Sequence, residues 1–232
     1  QDLIRSSSDN LGDQGMWALY NWIRESMRSN KPFDQFVREL VTAQGSVYMS
    51  GPANYYRIAN NPADLAESTA QIFLGIRLQC AKCHHHPFEK YGQEDYYGLA
   101  AFFARVGTKN SQEFGLFGRE SVVLVKSDGE VRHPRTNQVM PPTSLEGKAM
   151  EDPLDRRRPL AAWLTSSENR FFAQNVVNRY MSYLMGTGLV EPVDDLRATN
   201  PPSNPELMDA LCAHFVKSKY NVKELVRVIM CS

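Results

Sequence analysis

The run Gln79-Cys80-Ala81-Lys82-Cys83-His84-His85-His86-Pro87-Phe88 gathers two of the chain's four cysteines and three of its five histidines. No other window of this size concentrates groups that bind metals or attack electrophiles. Within it, Cys80-Ala81-Lys82-Cys83-His84 has the spacing Cys-x-x-Cys-His, the attachment signature of c-type haem. The spacing has a physical reason. Thiols three positions apart lie on one side of a helical turn and can reach two adjacent vinyl groups of a porphyrin. The imidazole that follows the second thiol can then ligate the iron. On this reading Cys80 and Cys83 anchor haem c and His84 is the proximal iron ligand.

Two other chemistries use Cys-x-x-Cys. A structural zinc site would need further ligands, and Cys212 and Cys231 fall in separate apolar helical patterns, which leaves His84, His86 or the distant His133. A redox dithiol expects a βαβ setting, whereas this pair follows a helical pattern. Cys212 and Cys231 read as buried free thiols. His85 reads as a solvated side chain. His86, pinned before Pro87, reads as a hydrogen-bonding neighbour of the iron ligand or as a separate ligand. The sixth iron position decides between electron transfer and binding or catalysis. His133, in a loop after a hairpin pattern, is the first candidate for it, and Met140 in the same segment is the alternative.

Composition narrows the partners. With 232 residues the chain can bury a sizeable core in one large domain or two small ones. Its formal net charge is zero, so it lacks the basic excess that nucleic acid attracts. No apolar run approaches the roughly 20 residues of a membrane span. There is no Gly-rich phosphate loop, no Gly-x-Ser-x-Gly elbow and no His-Glu-x-x-His zinc helix. Arg156-Arg157-Arg158 reads as a solvated helix start within reach of haem propionates, and Asp194-Asp195 as a loop or cap pair.

The pattern along the chain predicts a mainly α-helical protein, a helical haem-binding core with a small β-hairpin insertion. Trp17, Tyr20, Ile23 and Met27 repeat at helical spacing, and Phe33, Phe36, Val37, Leu40 and Val41 do so after Pro32. Asn61-Pro62 caps a third helix that runs towards Cys80. Glu94 to Arg105 gives a fourth. Ser121 to Lys126 is strand-like, with a turn at Asp128-Gly129 and a return over Glu130 to His133. Helical patterns resume at 153–164, 168–185, after Ser203-Asn204-Pro205-Glu206, and at 221–230, with Gly186 a stop signal. The expected organisation is a haem domain at 1–133, a Pro- and Gly-marked connector at 134–153, and a helical partner domain at 154–232.

Longer words carry a resemblance. Pro32-Phe33-Asp34-Gln35-Phe36-Val37, Phe73-Leu74-Gly75-Ile76-Arg77-Leu78 running into the motif, His86-Pro87-Phe88, and Asp95-Tyr96-Tyr97-Gly98-Leu99-Ala100-Ala101-Phe102-Phe103 resemble the cytochrome-associated domain of Planctomycetes and related bacteria. Asn178-Arg179, Gly186-Thr187-Gly188-Leu189-Val190 and Pro192-Val193-Asp194-Asp195-Leu196-Arg197-Ala198-Thr199-Asn200-Pro201-Pro202-Ser203-Asn204-Pro205-Glu206-Leu207 are similar to its usual partner domain. The resemblance implies cytochrome-c-like character, with haem c domains nearby in exported proteins. It also implies a partner domain that runs past Ser232, so this chain is expected to be a fragment. Members of that family usually carry Asp or Asn between the two histidines, where this chain has His85. The expectation is electron transfer with a redox partner protein, in the periplasm or outside the cell, where covalent haem attachment occurs. A haem enzyme with an open sixth site (oxidising peroxide or a substrate) and a zinc-held interaction module are the alternatives.

Overall fold

The computed structural model describes residues 8–59, 61–85, 87, 89–111 and 120–231. The chain is mainly α-helical with a small three-stranded antiparallel sheet. Helices α1 (Ser8–Arg28) and α2 (Phe33–Val41) lead into strand β1 (Gly45–Ser46), a 3-10 turn (Gly51–Asn54) and short α3 (Tyr55–Ile58). Helix α4 (Pro62–Thr69) continues through a π turn (Ala70–Leu74); a 3-10 turn (Gln79–Lys82) and α5 (Gln93–Ala101) follow. Strands β2 (Val106–Asn110) and β3 (Ser121–Val125) precede α6 (Arg157–Leu164), α7 (Arg170–Met185), α8 (Pro205–Lys217) and α9 (Val222–Cys231).

Local signals set several boundaries as the sequence suggests. Asn61 Oδ1 accepts the Asp64 N–H at 2.9 Å and caps α4 ahead of Pro62. Gly186 takes the left-handed conformation that ends α7. In α8 the cap is Asn204, whose side chain accepts from Leu207 N at 3.0 Å, rather than Ser203.

Three expectations need correction. The strand at 121–125 does not fold back on 130–133. It lies at the centre of the sheet, in the order β1-β3-β2, with Val106 opposite Val125 and Gly45 opposite Val123. Gly129 instead passes close over the end of α5, where a Cβ would sit 2.5 Å from the Ala104 carbonyl oxygen. Residues 131–140 form their own turn, bridged at Arg132 and Val139. In α1 the buried positions include Leu11, Leu19 and Ser26, while Trp17 and Tyr20 face solvent. The phase follows from the approach of α1 to the 51–54 turn, where a Cβ on Gly51 would lie 2.5 Å from the Ala18 carbonyl oxygen and 2.6 Å from Trp22 Cβ. Gly51→Ala is expected to cost about 1–3 kcal/mol of stability in a denaturant titration, because the neighbour is backbone and cannot yield easily. Third, Arg156 and Arg157 are buried, not solvated. Arg156 is taken up by Glu130 and Glu151, and Arg157 by Asp155.

The main core is continuous from Phe36 to Ile229, so residues before and after the 134–153 connector share one apolar interior. Phe33 stacks on Phe172 at 5.9 Å, and Phe172 meets Tyr220 edge-on at 5.6 Å.

Candidate functional site

The cysteine turn stands off the end of a helix rather than within it. The α4 and π-turn run stops at Gly75, which has φ 67° and is followed by Ile76, whose N–H returns to the Ala70 carbonyl at 3.2 Å. The helix thus runs towards Cys80, as its pattern suggests, and ends at Leu74, before the cysteine turn. Ile76 and Leu78 plug the core while Arg77 points outward. The 3-10 turn then begins at Gln79. Its tight winding eclipses residues three apart. Ala81 is fully buried and fixes the turn to the core, whereas Cys80 and Cys83 are both free and exposed. The Cys80 carbonyl accepts from the N–H groups of both Cys83 and His84, at 3.4 Å each.

His84 is exposed, and its Nδ1 lies 2.6 Å from the His85 carbonyl oxygen. A carbonyl only accepts, so Nδ1 is the donor, and in the neutral ring the lone pair is on Nε2. That is the tautomer of a metal-ligating histidine steadied by a backbone carbonyl. His86 lies outside the described residues.

Helix α5 and the 131–140 turn brace the loop from one side. Gln93 Nε2 and Tyr97 Oη donate to the Lys82 carbonyl at 2.8 and 3.3 Å, and Arg135 Nη2 donates to the Cys83 carbonyl at 3.0 Å. Buried Tyr96 donates to Glu67, and Glu67 lies 3.9 Å from Lys82 Nζ. Burial and the adjacent carboxylate both push the Tyr96 phenol well above its ordinary pKa.

His133 therefore comes into the motif's neighbourhood, through Arg135 and Tyr97, whose ring lies 6.0 Å from its own. Its orientation is specific. Nδ1 accepts the N–H groups of Arg135 and Thr136 at 3.2 and 3.4 Å, so Nε2 bears the proton. Nε2 is buried without a hydrogen-bond partner, 3.8 Å from Glu94 Oε1. Met140 is half-buried in the same turn, with its N–H on the Val131 carbonyl at 2.9 Å.

On the other side of Cys80 an open groove of about 320 Å³ is lined by Glu67, Ser68, Gln71, Arg77, Leu78 and Gln79. The Asp194 carboxylate accepts from Arg77 Nε at 3.1 Å, from Arg77 Nη2, and from Gln71 Nε2 at 2.5 Å. Partial burial alone would raise the Asp194 pKa, but the bonds from Arg77 and Gln71 outweigh it and hold the carboxyl below its ordinary value. Asp194 is thus no solvated cap. Sequence reasoning missed this pairing because its partners lie more than a hundred residues upstream and no local period marks them.

Of the other cysteines, Cys212 is half-buried and burial pushes its thiol up to about 12, whereas Cys231 is exposed, contrary to the expectation from its apolar neighbours. Among the described residues no group of three His, Cys, Asp or Glu side chains could hold a metal ion. No helix among them is long and apolar enough to cross a membrane.

Two stretches of the chain match known families. Residues 2–108 match PSCyt2, a protein of unknown function (DUF1549), and residues 156–232 match PSD1, a protein of unknown function (DUF1553). The matches agree with the Planctomycetes cytochrome-c-like domain and partner domain that the sequence words resemble. No curated protein and no solved structure matches the chain.

Proposed function

We propose that the chain is a c-type haem protein that transfers electrons, with Cys80 and Cys83 as the thioether anchors and His84 as the proximal ligand. The observation that carries this reading is the hydrogen bond from His84 Nδ1 to the His85 carbonyl at 2.6 Å, which in the neutral ring places the lone pair on Nε2 of an exposed histidine that directly follows two exposed free thiols in the motif. A buried cysteine pair, or a histidine with Nε2 protonated, would not suit the group. The residues present do. When bound, haem would supply an iron that accepts and returns one electron.

The chain's own residues set the conditions. The 3-10 turn leaves both thiols exposed while Ala81 between them is buried in the core. Gln93, Tyr97 and Arg135 hold the carbonyls of Lys82 and Cys83, so the turn is fixed before any group binds. The exposure of the motif gives a partner protein direct access. With no net charge, the chain should meet that partner with little long-range steering and a weak dependence of its rate on salt. The proposed compartment is the periplasm or beyond, where thioether attachment to haem takes place.

His133 is proposed as the sixth ligand and Met140 as the alternative. In its present setting His133 offers an N–H, not a lone pair, towards Glu94. Ligation would require the ring to release the Arg135 and Thr136 amides and change tautomer. That cost makes a haem enzyme with an open sixth site the second reading, ahead of a zinc-held interaction module. Replacing His133 with alanine distinguishes ligation from an open site: a change from six- to five-coordinate spectra supports ligation, and unchanged spectra together with carbon monoxide binding in the wild type support the open site.

The electron-transfer reading is tested by intact-mass and peptide analysis of protein matured with the c-type haem apparatus. One haem should be added, on the peptide that contains Cys80 and Cys83. Matured protein whose mass stays that of the bare polypeptide overturns the proposal.

A further inference from the structure

The loop that follows α7 reaches from the 156–232 region back to both flanks of the cysteine turn. Its root is fixed by Asn178, a fully buried side chain on α7. Asn178 Oδ1 accepts the Val190 N–H and its Nδ2 donates to the Val190 carbonyl, both at 2.8 Å. Asn200 Nδ2 ties the two limbs of the loop together through the carbonyls of Glu191 and Asp195, at 3.1 and 3.0 Å. From this base three contacts reach the motif. Asp194 holds Arg77 and Gln71. The Leu196 N–H donates to the Gly75 carbonyl at 2.8 Å. The Ala198 N–H donates to Glu89 Oε1 at 3.3 Å, on the far side of the cysteines.

Gly75 shows how close this approach is. A Cβ there would meet Leu196 Cδ1 and Asn175 Oδ1 at 2.9 Å, and the residue already has a positive φ. Helix α7 adds to the clamp. Asn175 Nδ2 donates to the Ile72 carbonyl at 2.7 Å and Arg179 Nη2 to the Gln71 carbonyl at 2.9 Å.

We propose that the segment 192–198 is a clamp that positions the turn at 80–84, with Asp194 as its positioning residue acting through Arg77 and Gln71. Residues upstream of the turn (71, 75 and 77) and downstream of it (89) are held by one loop, so neither flank can shift without breaking a contact to that loop. This gives the second matched region a task in the first: it fixes the thiols and His84 relative to the core. The inference stands on contacts within the chain and does not depend on what the turn binds.

Amide hydrogen exchange on the full chain tests it, read by mass spectrometry without added cofactor. In Arg77→Ala and Asp194→Ala, exchange across residues 76–84 should accelerate about tenfold or more, while α8 and α9 keep their wild-type rates, because loss of a charge-assisted contact opens the local unit and not the whole fold. The double variant should add little to either single one. Asp194→Glu should restore most of the protection. Arg77 is half-exposed, so its replacement leaves a folded protein to measure even where Asp194→Ala does not. Unchanged exchange at 76–84, equal acceleration throughout the chain, or failure of Asp194→Glu to restore protection overturns the proposal.

Discussion

Arg157→Met is expected to cost about 3–5 kcal/mol, because it leaves the buried Asp155 carboxylate without its counter-charge. The Arg157 side chain is fully buried and that of Asp155 is 4% exposed. They meet through two hydrogen bonds, Nε to Oδ1 at 2.9 Å and Nη2 to Oδ2 at 2.8 Å. Arg157 also donates to the Ala43 carbonyl at 2.9 Å and lies 5.0 Å over the Tyr56 ring. The pair therefore joins α6 to the chain just after α2 and to α3, which carries Tyr56. Methionine keeps the volume but removes every side-chain donor, leaving Asp155 Oδ1 only the backbone N–H of residue 157 at 3.0 Å. For a chain of this length the loss should lower the melting temperature by about 10 °C in a calorimetric scan. Arg157→Met with Asp155→Leu should recover most of it, since a buried pair replaced as a whole costs little. A single variant that melts with the wild type would show that the pair is not buried as described.

Replacing Cys80 and Cys83 together by alanine is expected to have the opposite profile. Both thiols are exposed, unbonded to each other and outside the core, so the melting temperature should change by less than about 2 °C. Covalent haem, in contrast, should be lost completely, because no thiol remains to form a thioether at the turn. Cys212 is the control: it is half-buried with its thiol pushed up to about 12, and its replacement should leave haem attachment intact. A double variant that still carried haem through denaturation would place the attachment elsewhere. One that failed to fold would give the two cysteines a structural role that their exposure argues against.

What the sequence revealed depended on the range of the interaction. Asn61-Pro62 and Gly186 mark helix ends through bonds within a few residues, and both are where the pattern puts them. The helix of Phe36, Val37, Leu40 and Val41 shows its buried face directly in its period. The face of α1 was not legible, because Trp17 and Tyr20 offer an apolar stripe as good as that of Leu11 and Leu19. The close approach at Gly51 chooses between them, and that contact lies in the tertiary structure. The partner of the 121–125 strand was missed for a related reason. Val106-Gly107-Thr108-Lys109-Asn110 has little β character, and it pairs because it leaves α5 alongside β3.

The site divides in the same way. Cys80, Cys83 and His84 stood out as candidates from spacing alone, and all three are exposed. The His84 tautomer could not be read this way, since it is set by the backbone carbonyl of the next residue. Nor could the pairing of Arg77 with Asp194, or that of Arg135 with the Cys83 carbonyl, which join residues far apart in the chain. His133 was read as the first candidate for the sixth iron position, and the fold brings it near the motif through Arg135 and Tyr97. Its protonated Nε2 comes from a local turn at Arg135 and Thr136 that its position in a loop did not disclose.

The most direct measurement is the visible spectrum of the full chain produced with the c-type haem maturation apparatus, before and after extraction with acid–acetone. A Soret band that remains with the protein after extraction is the expected result, as thioethers at Cys80 and Cys83 would hold the porphyrin through denaturation. A colourless protein, or a band that leaves entirely with the solvent, would contradict covalent haem at this turn.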